Sequence, residues 1–282
     1  SGTSAHPPMR IIVVWYADTH AGHKLGLMKP GTILYEETET GAFTPWEPKL
    51  TRTQEYLWDC YQTDIQRVIH LANGDPIMVH HVGDLTQGLK YKDQLVSTRL
   101  ADQLLIARAN VEEWLTIPNV VRQDLIVGTR SHIFGEASSP VLVKQMLEPA
   151  FQGTPINVIY HTRPTIEGVI FDAAHHGPSS GIREWTQGNQ LRYYLKSLVI
   201  HDVMRGKHPP HLTVRAHFHK LWPETISVRI SHTILALLRI LEAANVNDTT
   251  PADLLQPLGA ELRAITDLNP VTVHKAHIVL LP

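Results

Sequence analysis

The stretch Met9 to His23, MRIIVVWYADTHAGH, decides the fold. Its apolar run from Ile11 to Tyr16 is short, β-branched and almost free of polar residues, which predicts a buried strand. The run stops at Asp18-Thr19-His20. In extended chain, side chains at i and i+2 project to one side. A carboxylate and an imidazole then face a common point beyond the strand end, a pairing that suits a divalent transition metal. A turn-capping Asp beside a solvated His has the same letters, so the rest of the chain must decide.

Downstream, the same pattern recurs. A long Gly-, Thr- and Pro-rich segment from Ala21 to Lys49 reads as a loop lying over whatever Asp18 and His20 bind. Thr51 to Ala72 predicts a helix with Thr53 as N-cap and Leu57, Tyr61, Ile65, Val68 and Ile69 on its apolar face. Ile77 to Val82 predicts a strand ending in Gly83-Asp84. A second helix is expected over Asp93 to Leu115. A third strand, Val120 to Val127, carries Gln123 and Asp124 against its pattern and runs into Gly128-Thr129-Arg130-Ser131-His132. A short helix follows over Ser139 to Leu147, then strands over Ile156 to Tyr160 and Val169 to Ala173, the latter ending in His175-His176-Gly177-Pro178. A helix over Leu191 to Met204 precedes the strand Leu212 to Arg215, which ends in Ala216-His217-Phe218-His219. Beyond it, strands are expected over Thr225 to Ile230 and Val271 to Leu281, with helices over His232 to Ala244 and Thr250 to Ile265. Strands alternating with helices predict an α/β domain, and ligands in such folds bind beyond the carboxyl ends of strands.

Composition bounds the function. The chain has 282 residues, a hydrophobic fraction of 43% and a net charge of −2, so it lacks the overall basic footprint of a nucleic-acid binder. Cys60 is the single cysteine, which fits a reducing compartment and a cytoplasmic location. No apolar run reaches the ~18 residues of a membrane span, and the opening SGTSAHPP shows no secretory signal. Eighteen histidines are many, and several are paired or spaced i, i+2. Of His80 and His81, one is expected in the core or behind the site and the other facing away. His23, His70, His161, His201, His208 and His211 read as surface or loop histidines, Arg183 and Arg215 as solvated arginines, and Trp15, Trp58 and Trp114 as packing residues.

In order, the strand ends read Asp18-x-His20, Gly83-Asp84, Gly128-Thr129-x-x-His132, His175-His176 and His217-x-His219. This series resembles the calcineurin-like metallophosphoesterase superfamily, whose signature runs D-x-H, G-D, G-N-H, H, G-H-x-H, and the GTxxH form resembles its bacteriophage members. The resemblance implies a fold of two mixed β-sheets flanked by helices, an αββα sandwich. Residues 9–230 would form the catalytic domain, and 231–282 a C-terminal helical extension packed on it. It implies a phosphoester hydrolase, first a phosphodiesterase acting on nucleotides or nucleic acid, in which a hydroxide held by two divalent ions (Mn, Fe, Zn, Ni or Co) attacks phosphorus. A phosphomonoesterase, including a protein phosphatase, or a non-catalytic metal-binding scaffold are the alternatives.

Carried onto this chain, the resemblance makes Asp84 the bridging ligand. Asp18, His20 and His219 complete one metal site, and His217 with one of the tandem pair, His175 favoured over His176, serve the other. His176 then faces away or contacts substrate. The third motif departs from the family pattern, because Thr129 replaces the Asn ligand and Arg130 replaces the following His. Thr129 could offer a hydroxyl to a metal, His132 could act as general acid or substitute ligand, and Arg130 could bind a phosphate oxygen. Ala216 replaces a Gly, and Ala resists positive φ.

Overall fold

The computed structural model describes residues 10–135, 138–179, 186–231 and 271–280. The opening apolar run forms β1 (Ile12–Tyr16). Both faces of β1 are covered, as an apolar run without alternation requires. Ile12, Val14 and Tyr16 pack against a helix, while Trp15 and Ala17 turn toward a second sheet. β1 pairs in parallel with β4 (Ile77–His81), which pairs in parallel with β5 (Val120–Ile126), which pairs in parallel with β6 (Ile156–Ile159). This sheet is therefore wholly parallel, where two mixed sheets were expected.

The second sheet is the mixed one. Its order is β11 (Trp222–Ser231), β12 (Val271–Leu280), β10 (Leu212–Arg215), β9 (Val169–Ala174) and β7 (His161–Thr162), with β8 (Thr165–Ile166) also on β9. β9, β10 and β12 run parallel, while β7, β8 and β11 run antiparallel to their neighbours. Val82 and Ile126 from the first sheet meet Ala173 and Val214 from the second in one buried cluster, so the two sheets pack face to face. Helices α1 (Arg52–Ala72), α2 (Leu100–Leu115) and α3 (Ser138–Leu147) cover the first sheet, and α4 (Asn189–Met204) covers the second. The expected helices over 232–244 and 250–265 lie outside the described residues, as does Arg183. No helix among the described residues is long and apolar enough to cross a membrane.

Three local expectations are corrected. α1 is capped by Thr51 rather than Thr53. Gln54 lies three residues after Thr51 and closes a reciprocal capping box, with Gln54 N–H donating to Thr51 Oγ1 at 3.2 Å and Thr51 N–H to Gln54 Oε1 at 3.0 Å. α2 starts at Leu100 rather than Asp93. Lys92–Gln94 makes a single 3-10 turn, after which residues 94–96 pair with residues 22–24, through Lys24 N–H to Gln94 O at 2.9 Å and Val96 N–H to Gly22 O at 2.8 Å. Finally, the segment read as loop contains a hairpin, β2 (Leu34–Glu37) and β3 (Phe43–Trp46). Leu34 buries it in the cluster around α2, while His23, Leu25, Gly26 and Leu27 at the start of the same segment line the cleft with Asp18 and His20.

The polar interruption in β5 is a buried pair. Asp124 Oδ2 lies 2.9 Å from His80 Nδ1, and Arg122 Nε donates to both carboxylate oxygens. Burial raises the Asp124 carboxyl, but His80, Arg122 and Asn157 outweigh it and hold it at about 2. Both members of the tandem pair are buried, His80 stacked on Trp15 at 4.1 Å and His81 edge-on to Tyr16. The two point to opposite faces as expected, His81 behind the site and His80 away from it, and because both faces are covered neither reaches solvent. Asp124→Ala strips His80 and Arg122 of their partner. It is expected to cost about 3 kcal/mol in urea unfolding; a change within experimental error would show the pair to be dispensable.

Candidate metal centre

The carboxyl ends of β1, β4, β5, β9 and β10 gather the candidate residues at one edge of the sandwich. The loops after β1 and β4 run side by side, with Asp18 N–H donating to Gly83 O and His20 N–H to Asp84 O, both at 3.0 Å. Close approach needs small residues there. A Cβ at Gly83 would overlap the His175 ring and lie 2.7 Å from its Cβ. One at Gly128 would overlap Asp84 N and Oδ1 and lie 2.9 Å from Asp84 Cα.

The backbone differs from the extended form assumed for Asp-x-His. Asp18 and His20 have φ of 54° and 42°, Asp84 has 52°, and His217 and His219 have 77° and 48°. Among the described residues eight non-glycine residues have positive φ, and five of them are these candidate ligands. Such conformations cost roughly 1–3 kcal/mol each and persist where surrounding structure enforces them, often at functional sites. Ala216 is absent from that set, so the strain anticipated for it does not arise; it is buried and donates its N–H to His175 O at 3.0 Å.

Two ligand groups result. In the first, His20 Nε2 and His219 Nε2 lie 3.0 Å apart, and they lie 3.7 Å and 3.3 Å from Asp18 Oδ1. Donors about 2.1 Å from one cation lie about 3.0–3.4 Å from each other, so two of the three separations match one coordination shell and the 3.7 Å one is somewhat wider. Asp18 Oδ1 is buried and accepts no well-aligned hydrogen bond, whereas Oδ2 accepts from His217 N–H at 3.1 Å. In the second, Thr129 Oγ1 lies 3.1 Å from Asp84 Oδ2, 3.3 Å from His175 Nε2 and 3.2 Å from His217 Nδ1. Asp84 Oδ2 is 3.1 Å from His175 Nε2 and 3.9 Å from His217 Nδ1. His176 joins His175 and His217 in a further group rather than facing away, with ring centroids 5.0 Å from each. Asp84 also groups with His20 and His132, and with Asp18 and His175, and so stands between the two sides. These donor sets fit divalent cations.

Hydrogen bonds behind the site orient the rings. His175 Nδ1–H donates to Val82 O at 2.7 Å, which turns Nε2 toward Asp84. His132 Nδ1–H donates to Gln87 O at 2.5 Å, which leaves Nε2 facing the site, 4.0 Å from Asp84 Oδ2. Burial raises the Asp18 carboxyl, but His20 and His219 outweigh it and hold it at about 2. Burial likewise raises Asp84, yet His175 and the Thr129 N–H bring it well below the usual carboxylate range. Burial lowers His175, and Asp84 more than offsets this, so it ends raised. The Asp18 carboxylate beside it, 3.3 Å from its Nε2, raises His219. Two carboxylates are thus held ionised by surrounding imidazoles.

Not every expected residue converges. Arg130 is exposed at the start of a 3-10 turn, Arg130–His132, and belongs to neither ligand group. Arg215 is buried rather than solvated, bonded to the Asp172 carboxylate and to Tyr194 Oη. Other contributors went unread. Buried Thr19 accepts from His81 Nε2–H at 2.9 Å and donates to Leu85 O at 3.2 Å, fixing the loop between Asp18 and His20. Buried Gln103 brackets Gly88, donating to Gly88 O at 3.0 Å and accepting Gly88 N–H at 2.8 Å, next to the Gln87 carbonyl that orients His132. A buried polar residue on a helix was the only available signal for Gln103.

No family model matches the chain. No curated protein matches it. Among solved structures, the protein of unknown function AQ665 from Aquifex aeolicus is similar over 75% of this chain and 81% of that one, at 11% identity and a TM-score of 0.31. At that score the likeness decides neither fold nor function.

Proposed function

We propose that this chain is a phosphoester hydrolase with a dinuclear metal centre, built on a metallophosphoesterase-type sandwich. The observation that carries the reading is the meeting, across five strand ends, of two ligand groups with the Asp84 carboxylate between them. The helix–sheet–sheet–helix layering supports it. Asp18, His20 and His219 would hold one divalent ion, and Thr129, His175 and His217 the other, with Asp84 shared. When bound, such ions supply the charge that makes water acidic enough to attack phosphorus and that offsets the phosphate's own charge. Mixed oxygen and imidazole donors admit Mn, Fe, Zn, Ni or Co. A diester is the favoured substrate, since it carries one negative charge and no Lys or Arg is among the described residues lining the adjoining cleft.

His132 has the role of proton donor to the leaving oxygen. Its Nε2 faces the site, and although burial lowers its pKa, Asp84 opposes that, as would an anionic substrate. His132→Ala is expected to slow esters of poor leaving groups by about 10²-fold or more, and nitrophenyl esters far less. An equal loss for both would assign His132 to metal binding instead.

The test of the whole reading is elemental analysis of protein dialysed against Mn, followed by turnover of bis(4-nitrophenyl) phosphate and 4-nitrophenyl phosphate. Two Mn per chain with Mn-dependent turnover is the expected result. No bound metal, or two metals without hydrolysis of either ester, would overturn it.

A further inference from the structure

We propose that the cleft beside His132 is the subsite for the leaving alcohol, and that it selects an uncharged, flat, ring-bearing alcohol of nucleoside size. This rests on the phosphoesterase reading above. The cleft has a volume of about 720 Å³, within the range of sites that enclose a small organic molecule. It opens from one side of the centre only. Asp18, His20, His132 and His219 line it, whereas His175, His176 and His217 do not. A phosphate held between the two ligand groups therefore meets the candidate proton donor on the cleft side. The group that receives the proton is the one that leaves, so the cleft takes the leaving alcohol.

The walls specify its chemistry. Leu25, Leu57, Tyr61 and Tyr91 supply apolar and aromatic surface, and Gln87 and Gln94 supply amides near it. Leu25 and Tyr91 are 57% and 46% exposed, large apolar side chains left open next to a polar centre. Rings stack on such surfaces whatever their substituents, while amides bond the polar edges of a heterocycle.

Charge narrows the class further. Among the described residues lining the cleft there is no Lys or Arg, and away from the ligand groups the carboxyl side chain is Asp64, paired with exposed Arg67 at 2.9 Å. The cations nearby in sequence are engaged at the rim: Lys24 Nζ donates to Asp93 O at 2.8 Å and Lys90 lies 5.3 Å from the Tyr91 ring centre. A second phosphate or a carboxylate on the alcohol would enter without a counter-charge. Polyphosphates and nucleic-acid chains are accordingly poor substrates.

The experiment uses the full chain loaded with Mn and compares adenosine monophosphate, benzyl phosphate, glycerol phosphate and ATP, so that the ring varies while the monoester leaving groups stay alkanols. The two ring-bearing monoesters are expected to exceed glycerol phosphate in kcat/KM by about tenfold or more, and ATP to be the poorest. Adenosine monophosphate ahead of benzyl phosphate identifies a nucleoside as the source of the ring, and parity identifies the ring alone. Tyr91→Ala and Leu25→Ala are expected to raise KM for the ring-bearing esters by about tenfold and to leave glycerol phosphate within about twofold. Independently of turnover, adenosine is expected to bind the metal-free protein in equilibrium dialysis, and Tyr91→Ala to weaken that binding. Hydrolysis of all esters alike, a uniform loss in Tyr91→Ala, or a preference for ATP would overturn the subsite while leaving the hydrolase reading intact. Adenosine binding with no hydrolysis of these esters or of bis(4-nitrophenyl) phosphate would overturn the hydrolase reading, and the leaving-group role with it.

Discussion

Asp84→Asn is expected to lower Mn-dependent phosphoester turnover by at least about 10³-fold while the far-ultraviolet circular dichroism stays unchanged. The expectation follows from what surrounds the carboxylate. Oδ1 accepts the Thr129 N–H at 2.6 Å, and Oδ2 lies within 3.1 Å of both Thr129 Oγ1 and His175 Nε2. An amide offers one oxygen for these two tasks. If that oxygen keeps the Thr129 N–H, an NH₂ group points toward the imidazole lone pairs and any bound cation. The negative charge that would offset two neighbouring cations is lost as well. Elemental analysis should show fewer than two Mn per chain. Undiminished turnover with two Mn retained would remove Asp84 from its shared position.

Gly128→Ala is expected to have the second-largest effect, although Gly128 offers no ligand atom. Its φ is not positive, so alanine is not excluded by its own backbone. The obstacle is the neighbour. The new methyl would overlap Asp84 N and Oδ1, and main-chain atoms cannot swing aside as a flexible side chain can. Asp84 must move, and it is buried among groups that fix it, with 1% exposure. A loss of about 1–3 kcal/mol in stability is expected, together with at least a tenfold weaker Mn affinity by isothermal titration. Gly153→Ala is the control, since no atom lies within 4 Å of the Cβ it would add. Equal behaviour of the two variants would mean that the approach of β5 to Asp84 is looser than its geometry indicates.

The sequence by itself determined the strand β1, the alternation of strands and helices, and the five strand ends that carry Asp and His. Those are local properties. A continuous β-branched apolar run buries two faces wherever it sits, and a polar residue ending such a run lies at the sheet edge. The order of the motifs was legible for the same reason; the sorting of their residues into two ligand groups was what the family resemblance implied.

What only the tertiary structure decided involves residues far apart in the chain. His20 and His219, 199 positions apart, bring their Nε2 atoms to 3.0 Å, and no periodicity encodes that. The left-handed backbone at Asp18 and His20 replaces the extended form assumed from their spacing, because the loop after β1 is tied to the one after β4. Residues 94–96 look helical in isolation but pair with 22–24. The choice between His175 and His176 was open in the sequence. His175 is directed to Asp84 because its Nδ1–H is taken by Val82 O across the inter-sheet space. Arg215 reads as a surface residue until Asp172 of the neighbouring strand receives it in the interior. In each case the deciding energy is a long-range contact that outweighs local preference, and such contacts exist only once the two sheets have packed.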